Sequence, residues 1–257
     1  ADYPAIQEVV DRRSAEAGYA IPVFADAAES FGASLEGRPA GSFGEAAIVS
    51  FNGNKIMTTS GGGMFLTDDD ALAKQVRYLA TQARQPVVHY EHTDIGYNYR
   101  MSNLLAALGR AQLERLEEMI GRRREMRRAY KRLFADVPGV EIFQAGEGGA
   151  ESDTDRVDMD EAEDNCWLTS ILVDPAVAGW KAGDLSEWLG ERNIESRPLW
   201  KPMHLQPVFA EAEHIENASS QALFETGVTL PSGSALSTEQ RERVVAAIDE
   251  FLGAVDA

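Results

Sequence analysis

Apolar and polar positions follow two rhythms along this chain. Helical spacing marks residues 1–18, 69–83, 185–193 and 237–255, and short apolar runs bounded by turn formers mark strands at 21–28, 45–51, 64–69, 167–174 and 194–200. Residues 102–134 carry Leu104, Leu105, Leu108, Leu113, Leu116, Ile120 and Leu133 at helical intervals, which predicts one long helix or two abutting ones. Gly109 and Gly121 weaken the case for a single rod. A new unit opens at VPGVEIF (137–143), and the acidic, aperiodic stretch 147–165 is expected to be an exposed or mobile loop. Asp68 to Asp70 favour a helix start, and Ser237 with Gln240 forms a capping-box pattern at the last helix.

Alternation of strands and helices in the first half argues for an α/β sheet with crossover helices, and the second half reads as a smaller α+β region. Domains usually run roughly 100–200 residues, so 257 residues accommodate a large and a small unit. The expected division is 1–134 and 135–257.

Charge narrows the choice of partners. The chain has 42 acidic and 24 basic residues, a formal net charge of −18, which disfavours nonspecific binding to nucleic acid or anionic membranes. No apolar run approaches the ~20 residues that span a bilayer, and the acidic, polar opening has no signal-peptide pattern, so a cytoplasmic location is expected. The lone Cys166 excludes an internal disulfide and reads as a small core residue. The basic run from Arg122 through Arg127 and Arg128 to Arg132 reads as a solvated helix face.

Other signals stay bland. Ser60-Gly61-Gly62-Gly63 lacks both the P-loop and the dinucleotide pattern and is expected to form a tight turn. His89 and His92 are spaced as on one helix face but lack further ligands, so no metal is expected. Asn217-Ala218-Ser219 matches a glycosylation acceptor without a secretory route.

One stretch is more specific. FADAAESFGASLEGRPAGSFGEAAIVSFNGNKIMTTSGGGMFLTD (24–68), then HYEHTDIGYNYRMSNLLAALGRAQLERLEEMI (89–120) and RPLWKPMHLQPVF (197–209), resemble in order the DegT/DnrJ/EryC1/StrS sugar aminotransferases. The resemblance implies the pyridoxal 5′-phosphate (PLP) transferase fold type I: an incomplete large domain with a mainly parallel sheet, plus a small C-terminal α+β domain. Family members carry a further N-terminal part before the segment resembling ADYPAIQEVV, so the chain is expected to be a fragment or an incomplete record.

A lysine that forms an imine with the cofactor and an acid that keeps the pyridine nitrogen protonated are the residue types such chemistry needs. The resemblance assigns these to Lys55, as Schiff-base lysine and proton shuttle, and to Asp26. It implies that Ser50 binds the cofactor phosphate, that Glu29 lies against the cofactor, and that Asn98 reaches the phosphate of the other subunit in a homodimer with shared active sites. Lysine, where a dehydrating variant of the family has histidine, implies amino transfer from L-glutamate to a nucleotide-linked 4-keto sugar by ping-pong kinetics. Similarity is greatest to enzymes making UDP-4-amino sugars of the bacillosamine type. Arg197, Lys201 and His204 are expected substrate contacts, since guanidinium and ammonium groups suit diphosphate oxygens. Two other readings stand beside this one: a catalytically silent, oligomerising fragment, and a same-fold PLP enzyme acting on free amino acids.

Overall fold

Asp2 starts the first helix by accepting a hydrogen bond from the Ala5 amide at 3.0 Å, and Gly18 in the left-handed region ends it. The computed structural model describes residues 1–143 and 164–255. They fall into two compact units, residues 1–120 with Asp164 and Asn165, and residues 121–143 with 166–255. Most of the acidic stretch expected to be a loop lies outside the described residues.

The first unit contains α1 (Tyr3–Ala17), β1 (Phe24–Asp26), β2 (Ser34–Leu35), β3 (Arg38–Pro39), β4 (Ala46–Ser50), β5 (Gly63–Leu66), α2 (Asp70–Ala80), α3 (Asn103–Leu113) and the start of α4 (Leu116–Phe134). Its main sheet runs β1-β4-β5 and is mixed: β1 and β4 are parallel, with Asp26 beside Ile48, and β4 and β5 are antiparallel. Ala25, Ala47 and Val49 bury one face of it. On the other face Phe24 keeps 60% and Ile48 44% of their surface exposed.

β2 and β3 form a hairpin over Glu36-Gly37, both with positive φ (52° and 74°). This is the two-residue turn that right-twisted strands favour. Asp69 caps α2 by accepting from the Ala71 and Leu72 amides at 2.7 and 3.1 Å. Of the two expected alternatives, one long helix or two abutting ones, the chain forms two, and the break falls at Glu114-Arg115 rather than at either glycine.

In the second unit the rest of α4 packs with β6 (Val140–Ile142), β7 (Thr169–Val173), α5 (Pro175–Ala178), α6 (Ala182–Glu191), β8 (Arg197–Pro198), α7 (Ser219–Thr226), β9 (Gly227–Leu230) and α8 (Thr238–Val255). The sheet order is β6-β7-β9-β8, antiparallel throughout. Tyr130, Ile171, Leu185, Val228 and Ile248 form its core. Ser237 and Gln240 make both bonds of the expected capping box, at 3.2 and 2.8 Å. Cys166 is fully buried, as expected of a small core residue.

The basic run is not uniformly solvated. Arg123 and Arg127 are buried on the same α4 stripe as Tyr130 and Phe134. Arg123 donates to the Trp167 and Ser232 carbonyls, and Arg127 to the Leu168 carbonyl at 2.9 Å. The guanidinium forks supply donors to the backbone leading into β7, a use of charge that composition alone does not reveal. Burial pulls the Arg123 guanidinium below its ordinary range.

Candidate active site

β4 and β5 are neighbours, so the twelve or so residues between them must fold back as an arch. Phe51 donates from its amide to the Gly62 carbonyl at 3.0 Å and its own carbonyl accepts from the Thr59 amide at 2.9 Å, which closes the arch on itself. A turn at its tip, with the Lys55 amide donating to the Asn52 carbonyl at 3.1 Å, presents Lys55. Ile56, Met57 and Thr59 anchor the arch by burial. Helix α3 braces it from outside: the Gln112 side chain accepts from the Thr58 amide at 3.3 Å. The Gly-rich stretch 60–63 is the turn into β5, as expected.

Lys55 has only 12% of its side chain exposed, and its ammonium donates to the Glu29 carboxylate. Glu29 sits in the turn just beyond β1, whose last residue is Asp26, and the Asp26 carboxylate accepts from the Ala28 amide at 3.1 Å. Ser50 ends β4. Because Asp26 stands beside Ile48, alternation along β4 puts Asp26 and Ser50 on the same, open face of the sheet. Lys55, Glu29, Asp26 and Ser50 therefore gather around the C-terminal ends of the parallel pair β1 and β4, where α/β sheets commonly bind ligands. The Ser50 Oγ accepts from the Asn52 amide at 3.4 Å, leaving its proton to donate.

Asn98 is exposed on the surface of this unit and makes no hydrogen bond to Lys55, Asp26 or Ser50 among the described residues. Its segment lies along the end of α2, with the Tyr97 amide donating to the Leu79 carbonyl at 2.8 Å and the Tyr99 amide to that of Ala80 at 3.1 Å. Gly96 permits this approach, since a Cβ there would stand 2.4 Å from the Ala83 nitrogen. Tyr78, bonded to Asp94 at 2.6 Å, holds the preceding loop, and that carboxylate raises the Tyr78 phenol above its ordinary range. His89 and His92 lie in this irregular segment rather than on a helix. Among the described residues no cluster of three His, Cys, Asp or Glu side chains could hold a metal, and no helix is long and apolar enough to cross a membrane.

The three expected substrate contacts belong to the second unit. Arg197 on β8 has its guanidinium engaged by Glu195, with an Nε bond of 2.7 Å. Lys201 is exposed, and its carbonyl accepts from Gln206 at 3.2 Å. His204 stacks on His214 with ring centroids 5.3 Å apart, and its Nε2 lies 3.9 Å from the Glu216 carboxylate.

Sequence reasoning missed Asn165. Its amide, buried to 4% exposure, donates to the Glu29 carbonyl at 2.9 Å and the Phe31 carbonyl at 3.1 Å. The acidic stretch before it gave no periodic signal, so nothing local marked it.

The donor set fits PLP: a shielded primary amine, a carboxylate at a strand end, and a hydroxyl with a free proton on an open sheet face. Residues 5–249 match the DegT/DnrJ/EryC1/StrS aminotransferase family. The chain is 42% identical over 231 residues to EpsN of Bacillus subtilis (strain 168), a protein named as a pyridoxal phosphate-dependent aminotransferase, covering 88% of this chain and 55% of EpsN. It is 33% identical over 229 residues to GDP-perosamine synthase of Escherichia coli O157:H7, covering 89% of this chain and 58% of that protein. Its fold matches the PLP form of Spr1654 from Streptococcus pneumoniae, named as a sugar aminotransferase, with a TM-score of 0.81 at 21% identity, over 99% of this chain and 66% of that one. The chain thus spans little more than half the length of these curated relatives. With the family matched along nearly all of its own length, the chain belongs to the DegT/DnrJ/EryC1/StrS aminotransferases, whose cofactor is PLP.

Proposed function

We propose that the chain serves a PLP-dependent aminotransferase that moves an amino group from L-glutamate to a nucleotide-linked keto-sugar. The observation that carries this reading is the shielded Lys55 amine, held on a closed arch that leaves the end of the strand bearing Ser50, next to the strand that ends at Asp26. Relatedness to a protein named GDP-perosamine synthase supports a nucleotide-linked acceptor. The similarity of residues 53–64, 80–84, 89–92 and 197–204 to bacillosamine-type enzymes favours a UDP-4-keto-6-deoxy-sugar.

When bound, PLP supplies an electrophilic aldehyde carbon and a ring that accepts electron density. Lys55 would hold it through Nζ, Asp26 would serve as anionic partner of the ring nitrogen, Ser50 would donate to the phosphate, and Glu29 would lie alongside. Lys55 Nζ would take and return the proton at the substrate carbon, first for the amino donor and then for the keto acceptor, so that one base would serve both halves of a ping-pong cycle. Arg197, Lys201 and His204 supply polar and cationic groups to the anionic substrate.

Residues 1–134 form part of the PLP-binding large domain with its connecting helix, and 135–257 the small domain. The protein is a homodimer. The surface around Asn98 supports this: Tyr97, Tyr99 and Leu104 are all exposed, Leu104 by 84%, an apolar area that a second copy would cover while Asn98 reaches its cofactor phosphate. The single buried cysteine and a nucleotide-linked substrate fit the cytoplasm.

An absorbance spectrum of the protein incubated with PLP, before and after L-glutamate, tests the reading against a Lys55→Ala control. A lysine-dependent band that glutamate discharges supports it. Without a lysine-dependent band, the chain as it stands is the silent fragment. Discharge by other amino acids, with no turnover of any nucleotide sugar, points to the free amino-acid enzyme.

A further inference from the structure

We infer that Asn165 is a positioning residue for Lys55, acting through Glu29. This rests on Lys55 being the cofactor lysine. Three contacts form the chain of action. The Asn165 Nδ2 donates to the carbonyls of Glu29 and Phe31, 2.9 and 3.1 Å away. Those carbonyls belong to the turn that follows β1, tightened by Ser30 donating to the Ala27 carbonyl at 3.2 Å and Ala33 to that of Ser30 at 2.9 Å. The Glu29 side chain then accepts from the Lys55 ammonium.

The chemistry selects this residue type. Two carbonyls two residues apart call for two N–H donors on one planar group, which a primary amide supplies and an ionised carboxylate cannot. Asn165 is nine-tenths buried, so both bonds are shielded from water, and losing either leaves a polar group unsatisfied. Glu29 itself is exposed, with 47% of its side chain open to solvent. Its backbone is pinned from a residue 136 positions away, and with the backbone pinned the carboxylate stays where Lys55 meets it. Whenever Lys55 Nζ is released from its covalent linkage, the carboxylate that receives it is therefore held in place by Asn165.

The test measures Lys55 directly in the PLP-free protein. Acetylation by acetic anhydride is followed by peptide mass spectrometry, with the exposed Lys74 as internal standard. In Asn165→Asp and in Glu29→Gln, Lys55 is expected to label several-fold faster relative to Lys74. The double variant is expected to label no faster than either single one, because both changes break the same link. Asn165→Ser, which keeps one donor, should be intermediate and serves if Asn165→Asp does not fold.

Additive effects, or wild-type labelling of Lys55 in a folded Asn165 variant, overturn the inference. Trapping PLP with borohydride separates the two readings. Capture on a lysine other than Lys55, with the non-additive labelling intact, sinks only the cofactor assignment, whereas capture on Lys55 with additive labelling sinks only the role of Asn165.

Discussion

Gly109 of α3 lies so close to Thr59 that a Cβ at position 109 would stand 2.8 Å from the threonine methyl. Thr59 cannot yield easily: it is fully buried and β-branched, and its hydroxyl donates to the Gly61 carbonyl at 2.5 Å. A glycine that weakens the helix thus lets the helix press on the arch that carries Lys55.

Gly109→Ala should therefore destabilise the protein, because overpacking costs about 1–3 kcal/mol and exceeds the gain of about 0.5–1 kcal/mol from replacing a helical glycine. Gly121→Ala, with nothing within 4 Å of the added Cβ among the described residues, should instead stabilise by about that smaller amount. Urea midpoints of the two variants check the contrast, and an equal response in both would remove the bracing role of α3.

The proposal that two copies share each active site makes a different prediction. Lys55→Ala and Asn98→Ala should each lose activity, the former by at least about 10²-fold. Mixed and allowed to exchange subunits, they should recover roughly a quarter of wild-type activity, since half the dimers become mixed and each of these carries one intact site. A mixture as inactive as its parts would place Asn98 and Lys55 in the same subunit's site.

Tyr130 is buried and donates to the Pro231 carbonyl at 2.6 Å. Burial raises its phenol well above the ordinary value of 10.0. The unfolded chain therefore releases this proton near pH 10 while the folded one keeps it, so the contribution is complete below that pH and is lost as pH rises above it. Tyr130→Phe should cost about 1–2 kcal/mol at neutral pH through the abandoned carbonyl and should flatten the alkaline decline. Unfolding at pH 7 and above pH 10 measures both, and an unchanged alkaline slope would assign that decline to other groups.

Arg123→Lys tests whether the buried guanidinium is a donor fork rather than a charge. One ammonium on a shorter head cannot match its bonds to the Trp167 and Ser232 carbonyls, and a loss of about 1–3 kcal/mol is expected. The exposed Arg132→Lys should stay within about 0.5 kcal/mol. Equal thermal midpoints for the two variants would contradict the fork.

Local physics wrote the legible parts of this molecule. Asp69 and Ser237 announce helix starts because a cap is satisfied within three residues, and the strands bearing Asp26 and Ser50 announce themselves by short apolar runs between turn formers. Distance hid the rest. Asn165 bonds to a turn far behind it, Arg123 and Arg127 look solvated until the carbonyls they meet are known, and β9 (GVTL) is too short to signal without its partners β7 and β8. The pairing of Lys55 with Glu29 was legible only in part, since the residues were marked by family resemblance and not the bond between them.

The arch over residues 51–62 has a consequence for how the protein forms. Its ends are adjacent strands, so closing it is a short-range event whose entropy cost grows only with the logarithm of loop length. The clasp on Glu29 is the opposite, a contact made across more than half the chain. During synthesis the loop of Lys55 can close long before Asn165 leaves the ribosome, so the arch is shaped first and the clasp on Glu29 is added later.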